Sequence, residues 1–147
     1  MRISCLDRLK PLAAGLLLAA FAYVSPSNAN VKVNIDISTQ TMTVSVDGGH
    51  YATWRVSTAR DGYYAPRGSF RPFSLEKMHY SRKYEMTPMP PSIFFRGGYA
   101  IHATGAVKSL GRPASHGCIR LSPKNAAALF NLVREYGMTQ TKIGIRD

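Results

Sequence analysis

The 147-residue sequence is poor in acidic residues, in cysteine and in long apolar runs. It has 8 Asp and Glu residues against 19 Lys and Arg residues, for a formal net charge of +11. Its longest apolar run, residues 12–24, is shorter than the roughly 20 residues that a helix needs to cross a bilayer. The run therefore argues against a membrane-spanning helix. The shortage of acidic residues points to an anionic partner, such as a wall polymer, lipopolysaccharide, an acidic membrane surface or nucleic acid.

The N-terminal segment has the pattern of a secretory signal peptide. Three basic residues precede the apolar run, and the small-x-small site Ser27–Ala29 follows it. Basic, apolar and small-residue regions in this order are typical of a segment that is removed on export. The sequence therefore predicts a signal peptide over 1–29, cleaved after Ala29, and one domain over 30–147, exported to the periplasm or cell wall. An uncleaved N-terminal anchor is the alternative.

The predicted mature chain keeps its positive charge. Removal of residues 1–29 takes away three basic residues and one acidic residue, which leaves a net charge of +9. No basic helix with interleaved aromatic residues is present, and an exported protein rarely meets nucleic acid. We therefore expect neither nucleic acid as a partner nor a membrane span after cleavage.

Cysteine is the sharpest shortage. Cys5 lies within the predicted signal peptide, so Cys118 is the single cysteine of residues 30–147. Structural cysteines of exported proteins are normally paired, and an odd one indicates an intermolecular or reactive thiol. A buried, inert thiol is the alternative.

Most of the predicted domain alternates between apolar and polar residues, as strands do. Period-2 patterning predicts strands over 31–37, 42–46 and 52–56, with a hairpin turn at 47–49. The same signals predict short strands or hairpins over 69–78, 93–102, 117–121 and 141–147, with an irregular loop over 81–92 and a long unpatterned connection over 103–114. Many short strands predict a mainly β domain.

One helix is predicted, directly after Cys118. Ser122 is a capping residue, Pro123 suits the first helical position, and Gly137 is placed to end the helix. Apolar residues recur between them at helical spacing, and they are Leu129, Leu132, Val133 and Tyr136.

The surroundings of Cys118 have the makings of a nucleophilic site. His102 ends one predicted strand and Cys118 begins another, so pairing of the two strands would bring their side chains together. His116 lies two positions before Cys118, which places both on one face of an extended chain. Gly117 allows backbone N–H groups to approach a substrate carbonyl. A thiol, a base and oxyanion donors together favour cysteine acyl transfer.

Each of these residues also has a structural interpretation. His102 could be a core histidine bonded to a carbonyl, and His116 could support its loop. His50 and His79 have no chemical neighbours in the sequence, which favours surface or loop positions. A zinc site would need His79, His102, His116 and Cys118 to converge, and their spacing matches no recognisable zinc motif. We expect no metal and no cofactor.

The segments "IHATG" and "SLGRPASHGCIRLS" resemble the signature of L,D-transpeptidases with the YkuD-type catalytic domain. The stretch "APRGSF" and the capped helix fit the same family. The resemblance covers about residues 31–146. It implies a mainly β, β-sandwich-like L,D-transpeptidase catalytic domain with one α-helix after the catalytic motif.

The resemblance also implies roles for site residues. Cys118 would be the nucleophile and His102 the general base, with the carbonyl of Ala103 orienting the imidazole. His116, Gly117 and Cys118 would supply the oxyanion environment, and Ser115 would hold the loop. Arg120 would bind a substrate carboxylate or, equally, form a structural ion pair.

The implied reaction acts on peptidoglycan stem peptides. A Cys118 thioester would form with release of D-alanine from a stem tetrapeptide, and an amine would then attack it to give a 3→3 cross-link. By the same chemistry the acceptor could be an outer-membrane protein, or water in an L,D-carboxypeptidase. A non-catalytic wall-binding domain is the alternative of a different class.

Overall fold

The computed structural model describes residues 30–147, so the predicted signal peptide lies outside the described residues. This part of the chain contains eleven strands and one α-helix. The strands are β1 (Val31–Asp36), β2 (Thr41–Val46), β3 (Gly49–Arg55), β4 (Gly68–Phe70), β5 (Ser74–Glu76), β6 (Tyr80–Ser81), β7 (Thr87–Pro88), β8 (Ser92–Arg96), β9 (Tyr99–Ala103), β10 (Ile119–Leu121) and β11 (Thr141–Arg146), and the helix is α1 (Pro123–Tyr136). The prediction of a mainly β domain with one helix after the catalytic motif is confirmed.

The strands form two main sheets. The larger sheet has the order β3-β2-β1-β11-β4, and the smaller sheet has the order β10-β9-β8-β5. Two pairs are parallel, β1 with β11 and β9 with β10, and the remaining neighbours in both sheets are antiparallel. The parallel pairing of β9 with β10 fixes the position of the predicted site.

Most of the predicted turns and strands are present. The hairpin between β2 and β3 turns at Asp47 and Gly48, which both have positive φ, as a type I′ turn requires. The hairpin between β8 and β9 turns at Gly97 and Gly98. The strand-like stretch around Pro72 is divided into two edge strands, β4 in one sheet and β5 in the other, because proline cannot donate to a ladder.

The predicted irregular loop over 81–92 was wrong in part. A small two-stranded ribbon, β6 with β7, occupies it, and it pairs Tyr80 with Pro88 and Ser81 with Thr87. The prolines do exclude a helix there, but Pro88 sits in a two-residue strand, where little ladder bonding is lost. The ribbon carries Lys83 and Tyr84 in its turn.

The helix begins and ends as predicted. Ser122 Oγ accepts a hydrogen bond from the Asn125 backbone N–H, Pro123 is at the first helical position, and Gly137 follows the last turn. The helix buries Ala126, Leu129, Phe130 and Val133. These join apolar side chains of both sheets in one core. No helix in residues 30–147 is long and apolar enough to cross a membrane.

The smaller sheet has one face in this core and the other in a cleft. Ile93, Ile101 and Ile119 are at most 1% exposed and belong to the core. Their chain neighbours point the opposite way because side chains alternate along a strand. Phe94 and His102 line the cleft instead, together with Cys118.

Candidate active site

The predicted base lies on β9, and the predicted nucleophile lies immediately before the neighbouring strand β10. In the parallel β9–β10 pair, Ile119 is opposite Ile101 and Arg120 is opposite His102. Cys118 immediately precedes β10, so its side chain shares the cleft face with His102 and Arg120. All three line a single cavity of about 620 Å³. The structure thus brings together residues that sequence spacing had placed at two strand ends.

The Cys118 thiol is not hydrogen-bonded to His102 in the described residues. Its Sγ atom makes a weak contact of 3.8 Å with the Gly98 carbonyl oxygen. Catalytic hydrogen bonds are often long or absent before substrate binds and shorten in the reacting complex. The roles of Cys118 as nucleophile and His102 as base stay predictions.

His102 is held in one orientation. Its Nδ1 lies 2.7 Å from the backbone oxygen of Ala103, and because a carbonyl only accepts, Nδ1 carries the proton. The lone pair for accepting a further proton is therefore on Nε2. Burial lowers the pKa of His102 to about 4, although the Ala103 hydrogen bond opposes the shift and Arg120 adds to it. The imidazole is neutral at pH 7.

The thiol is also neutral at rest. Burial raises the pKa of Cys118, whereas the Ala100 backbone N–H and the charges of Arg120 and Lys83 lower it. Burial is the largest of these effects, so the thiol keeps its proton at pH 7. The resting site therefore holds a neutral thiol and a neutral base.

Ser115 and Gly117 shape the loop before the cysteine. The buried Ser115 hydroxyl donates to the Cys118 carbonyl oxygen at 2.6 Å and accepts from the Gly117 N–H at 3.0 Å. Ser115 therefore connects two positions of the loop. The Gly117 N–H is thereby occupied and not free for a substrate oxyanion, so His116 and Cys118 are the remaining amide donors of the predicted set.

Gly117 is at a position that only glycine fits. Its φ is +128°, and a Cβ there would lie 2.8 Å from both the Tyr64 carbonyl oxygen and Cε1 of Tyr99. The sequence predicted that Gly117 allows the backbone to approach a substrate carbonyl closely. In the structure, the groups close to Gly117 are Tyr64 and Tyr99 of the protein itself.

His116 is packed between two tyrosines that the sequence did not indicate. Its ring centroid is 4.6 Å from that of Tyr84, in a stacked arrangement, and 4.6 Å from that of Tyr63. Arg60 lies over Tyr63 and Lys83 lies over Tyr84. The pKa of His116 is lowered, first by burial and then by nearby cations that include Arg60. The stack connects the loop that contains His116 to the loop of Tyr63 and to the β6–β7 turn of Tyr84.

Arg120 has no carboxylate partner within residues 30–147. Its Nη1 donates to the Ala114 carbonyl oxygen at 3.3 Å, and its half-buried guanidinium lines the cavity. The structural ion pair considered for Arg120 is therefore absent, because no acidic side chain of the described residues reaches it. The guanidinium lines the same cavity as Cys118.

His79 lies in the loop between β5 and β6, in line with the predicted surface or loop position, and it has a chemical neighbour there. Its Nδ1 lies 2.6 Å from Oε2 of Glu76, and its ring packs edge-on against Phe94 at 4.9 Å. Both His79 and Glu76 line the cavity that contains Cys118. No local pattern indicates that this pair lines the cleft, because β5 reaches the cleft only through its pairing with β8. His50, by contrast, is exposed as expected and contacts Thr53.

The four residues weighed as a zinc site do not form one. No group of three or more His, Cys, Asp or Glu side chains in residues 30–147 is placed to hold a metal ion. His102 and His116 are instead engaged with a carbonyl and with aromatic rings.

The same fold occurs in solved L,D-transpeptidases. An L,D-transpeptidase from Mycobacterium smegmatis has a TM-score of 0.72 and 26% identity, over 81% of this chain and 59% of that one. The LD transpeptidase LdtMt1 in complex with imipenem has a TM-score of 0.71 and 26% identity, over 80% and 59%. An L,D-transpeptidase from Stackebrandtia nassauensis has a TM-score of 0.71 and 25% identity, over 88% and 62%. The chain thus spans about three fifths of the length of these solved chains.

The sequence comparison identifies the domain itself. No curated protein sequence is significantly similar to the chain. Residues 30–143 match the family model described as YkuD, the L,D-transpeptidase catalytic domain. The fold, the cleft and this match lead to one assignment: the chain belongs to the L,D-transpeptidase family with the YkuD-type catalytic domain.

Proposed function

We propose that the protein is a peptidoglycan L,D-transpeptidase that transfers an acyl group through Cys118. One observation carries the proposal. Cys118, immediately before β10, and the buried, neutral His102 of the adjacent strand β9 line a single cavity, and the Ala103 carbonyl leaves Nε2 of His102 as the basic atom. This arrangement supports the proposed roles of Cys118 as nucleophile and of His102 as base.

In the first half-reaction, Cys118 attacks the carbonyl that joins the third residue of a donor stem peptide to its terminal D-alanine. His102 Nε2 takes the thiol proton as the S–C bond forms, because a neutral thiol is a poor nucleophile. Backbone N–H groups stabilise the oxyanion. The imidazolium then gives that proton to the departing nitrogen, the C–N bond breaks, and D-alanine leaves behind a thioester.

In the second half-reaction, an amine attacks the thioester. The amine loses a proton to His102, the C–S bond breaks, and the thiolate recovers the proton from the imidazolium. The product is an amide between two third residues, a 3→3 cross-link. A thioester reacts readily with amines, which suits a transferase that must favour an amine over water.

Positive charge near the sulfur would hold the donor. Arg120 and Lys83 are close enough to Cys118 to lower the pKa of its thiol, and both line the cleft with Arg82. A stem peptide that ends in D-alanine carries a carboxylate close to the bond that breaks. Guanidinium groups bind carboxylates with directed hydrogen bonds, so Arg120 is the proposed partner of that anion.

The proposed place of action is the periplasm or cell wall. The predicted signal peptide and the net charge of +9 that remains after its removal support export to an anionic wall. N-terminal sequencing of the protein recovered from a periplasmic fraction tests this proposal: a mature chain that begins at Asn30 supports it, and a chain that retains residues 1–29 contradicts it.

Imipenem, present in the solved LdtMt1 complex, gives a direct test of the nucleophile. Intact-mass spectrometry after incubation should show one covalent adduct on the wild type and none on Cys118→Ala. His102→Gln should acylate more slowly. Absence of an adduct on the wild type, or an undiminished adduct on Cys118→Ala, would contradict the proposal and favour a non-catalytic wall-binding domain.

Analysis of wall fragments from a deletion strain identifies the acceptor. Loss of 3→3 dimers supports the proposed wall-peptide acceptor. Loss of fragments linked to outer-membrane proteins would replace it with protein attachment, and accumulation of tetrapeptides would replace it with carboxypeptidase activity.

A further inference from the structure

The cleft face of the smaller sheet carries one row of residues from edge to edge. Ladder pairing places Glu76 of β5 opposite Ser92 of β8, Ser92 opposite His102 of β9, and His102 opposite Arg120 of β10. Directly paired residues point to the same face of a sheet. The row therefore begins at a carboxylate, passes the proposed base and ends at a guanidinium.

The two ends of the cavity have opposite charge. Glu76 is the only acidic side chain that lines it in the described part of the chain. Arg120 and Lys83 act on Cys118 at the other end, and Glu76 is not among the groups that perturb this thiol. The proposed mechanism assigns a role to Arg120 at the cationic end but none to Glu76 at the anionic end.

Glu76 is held in place by His79 and has no Lys or Arg partner within residues 30–147. One carboxylate oxygen, Oε2, contacts Nδ1 of His79 at 2.6 Å, and Oε1 has no hydrogen bond within residues 30–147. The Glu76 and His79 side chains are 39% and 34% exposed, so a ligand can reach them from the cleft. The ring of His79 rests against Phe94, which fixes its orientation. A positioned carboxylate with a free oxygen is suited to bind a primary ammonium group.

The distance from Glu76 to the nucleophile matches the length of a diamino acid side chain. Strands are about 4.8 Å apart, so three spacings separate β5 from β10 by roughly 14 Å, and Cys118 lies roughly 6.6 Å along the strand direction from Arg120, which puts its Cα roughly 16 Å from that of Glu76. An extended chain of five or six single bonds of about 1.5 Å each spans roughly 6–8 Å. The Glu76 side chain and a hydrogen bond of about 3 Å cover the remainder.

We propose that Glu76, oriented by His79, binds the side-chain ammonium of the diamino acid whose carbonyl is transferred to Cys118. This inference rests on the proposed function and deepens it, because it assigns the residue that selects the donor. The donor would lie across β8 and β9, with its terminal carboxylate toward Arg120 and its side-chain ammonium at Glu76. The opposite charges at the two ends would set the direction in which it binds.

A specificity ratio tests this assignment. Two donor tetrapeptides are compared, identical except that the third residue is lysine in one and norleucine, which lacks the ammonium, in the other. The measured quantity is kcat/KM for D-alanine release. We expect the wild type to prefer the lysine peptide by about tenfold, as for a partly exposed charge-assisted hydrogen bond. Glu76→Gln should bring this ratio to about 1, and Glu76→Asp should keep part of it.

Glu85→Gln is the matched control. It removes the same charge from an exposed residue of the β6–β7 turn that does not line the cavity, so it should keep the wild-type ratio. A wild type without preference, or a Glu76→Gln variant that keeps the preference, overturns the inference while D-alanine release still supports the proposed function. If the wild type releases no D-alanine from either peptide, the proposed function itself fails.

Discussion

The two faces of the smaller sheet are formed by the same strands but differ in their surroundings: one face packs in the core and the other lines the cleft. Adjacent rows of paired residues run across all four strands, one in the core and one in the cleft. The core row consists of Leu75, Ile93, Ile101 and Ile119. The cleft row consists of Glu76, Ser92, His102 and Arg120.

The difference between the rows shows how a small domain supports a buried polar site. Three isoleucines of the core row are at most 1% exposed, and their burial stabilises the sheet. The buried members of the cleft row are satisfied by backbone carbonyls: Ser92 donates to Met89 and His102 to Ala103. A buried polar group without such a partner would destabilise the fold. The core row thus stabilises the pairing of the strands. The residues of the cleft row can therefore be polar without loss of the fold.

The largest expected effect comes from a change in the cleft row. His102→Gln removes the proposed base but keeps a similar volume and an N–H donor. We expect the acylation rate with imipenem to fall by about 10²- to 10⁴-fold, while the free energy of unfolding at pH 7 changes by less than about 1.5 kcal/mol. Timed intact-mass spectrometry and urea unfolding measure the two quantities. A rate within tenfold of the wild type would argue against His102 as the base.

The matched change in the core row is one residue away. Ile101→Ala should lower the free energy of unfolding by about 2–5 kcal/mol because it leaves a cavity in the packed core. The folded variant should still acylate within a few-fold of the wild-type rate, since its side chain points away from the cleft. Urea unfolding and acylation at a temperature where the variant is folded test this. A large rate loss in fully folded protein would show that the two faces are not independent.

The pH dependence of the free energy of unfolding should also differ between a variant of the cleft row and a variant of the core row. The pKa of His102 is lowered to about 4 in the folded state, whereas it is near 6.5 in an unfolded chain. The unfolded state therefore binds more protons between these values, and His102 makes stability fall as the pH drops from about 6.5 to about 4, by roughly 3 kcal/mol.

Unfolding curves at several pH values check this expectation. His102→Gln should lack this part of the acid destabilisation, and Ile101→Ala should keep it. Equal pH dependence in the wild type and His102→Gln would contradict the low pKa. The acid limb of the acylation rate should likewise lie near pH 4 rather than near pH 6.5.

The smallest expected effect tests the backbone beside the cleft row. Gly117→Ala places a methyl group 2.8 Å from the Tyr64 carbonyl oxygen and the Tyr99 ring, at a φ of +128°. We expect a loss of about 1–3 kcal/mol in the free energy of unfolding. The shifted backbone should slow imipenem acylation by about 10- to 100-fold. Gly105→Ala is the control, because a Cβ there meets no atom within 4 Å and Gly105 does not line the cavity. Equal acylation rates for Gly117→Ala and the wild type would show that the loop tolerates the displacement.

Local patterns were sufficient to predict much of the fold. The alternation at Val31–Asp36 and the cap at Ser122 predict their elements because both signals act within a few residues. The same holds for the hairpin that turns at Gly97 and leads into His102. The β6–β7 ribbon was missed because two-residue strands leave no period to detect.

A sequence motif was sufficient to propose the two main site residues, but it did not indicate the side chains that contact them or share their cleft. The resemblance at "SHGC" located Cys118, and the strand that ends near His102 supplied the second residue. Tyr84, which stacks on His116, and Glu76, which faces the cleft, carry no local mark of either position. Their placement depends on pairings between segments far apart in the chain, and a periodicity of two or 3.6 residues contains no information about such partners.

The sequence by itself determined most of the elements and the family, and it predicted the pair Cys118 and His102, because residue order, spacing and turn chemistry are local properties. Only the tertiary structure decided that Ser115 occupies the Gly117 amide, that Arg120 has no carboxylate partner in the described residues, and that Glu76 closes the row. The physical reason is strand register. Each pairing of β5, β8, β9 and β10 fixes which side chains share a face, and a shift by one residue would exchange the core row for the cleft row.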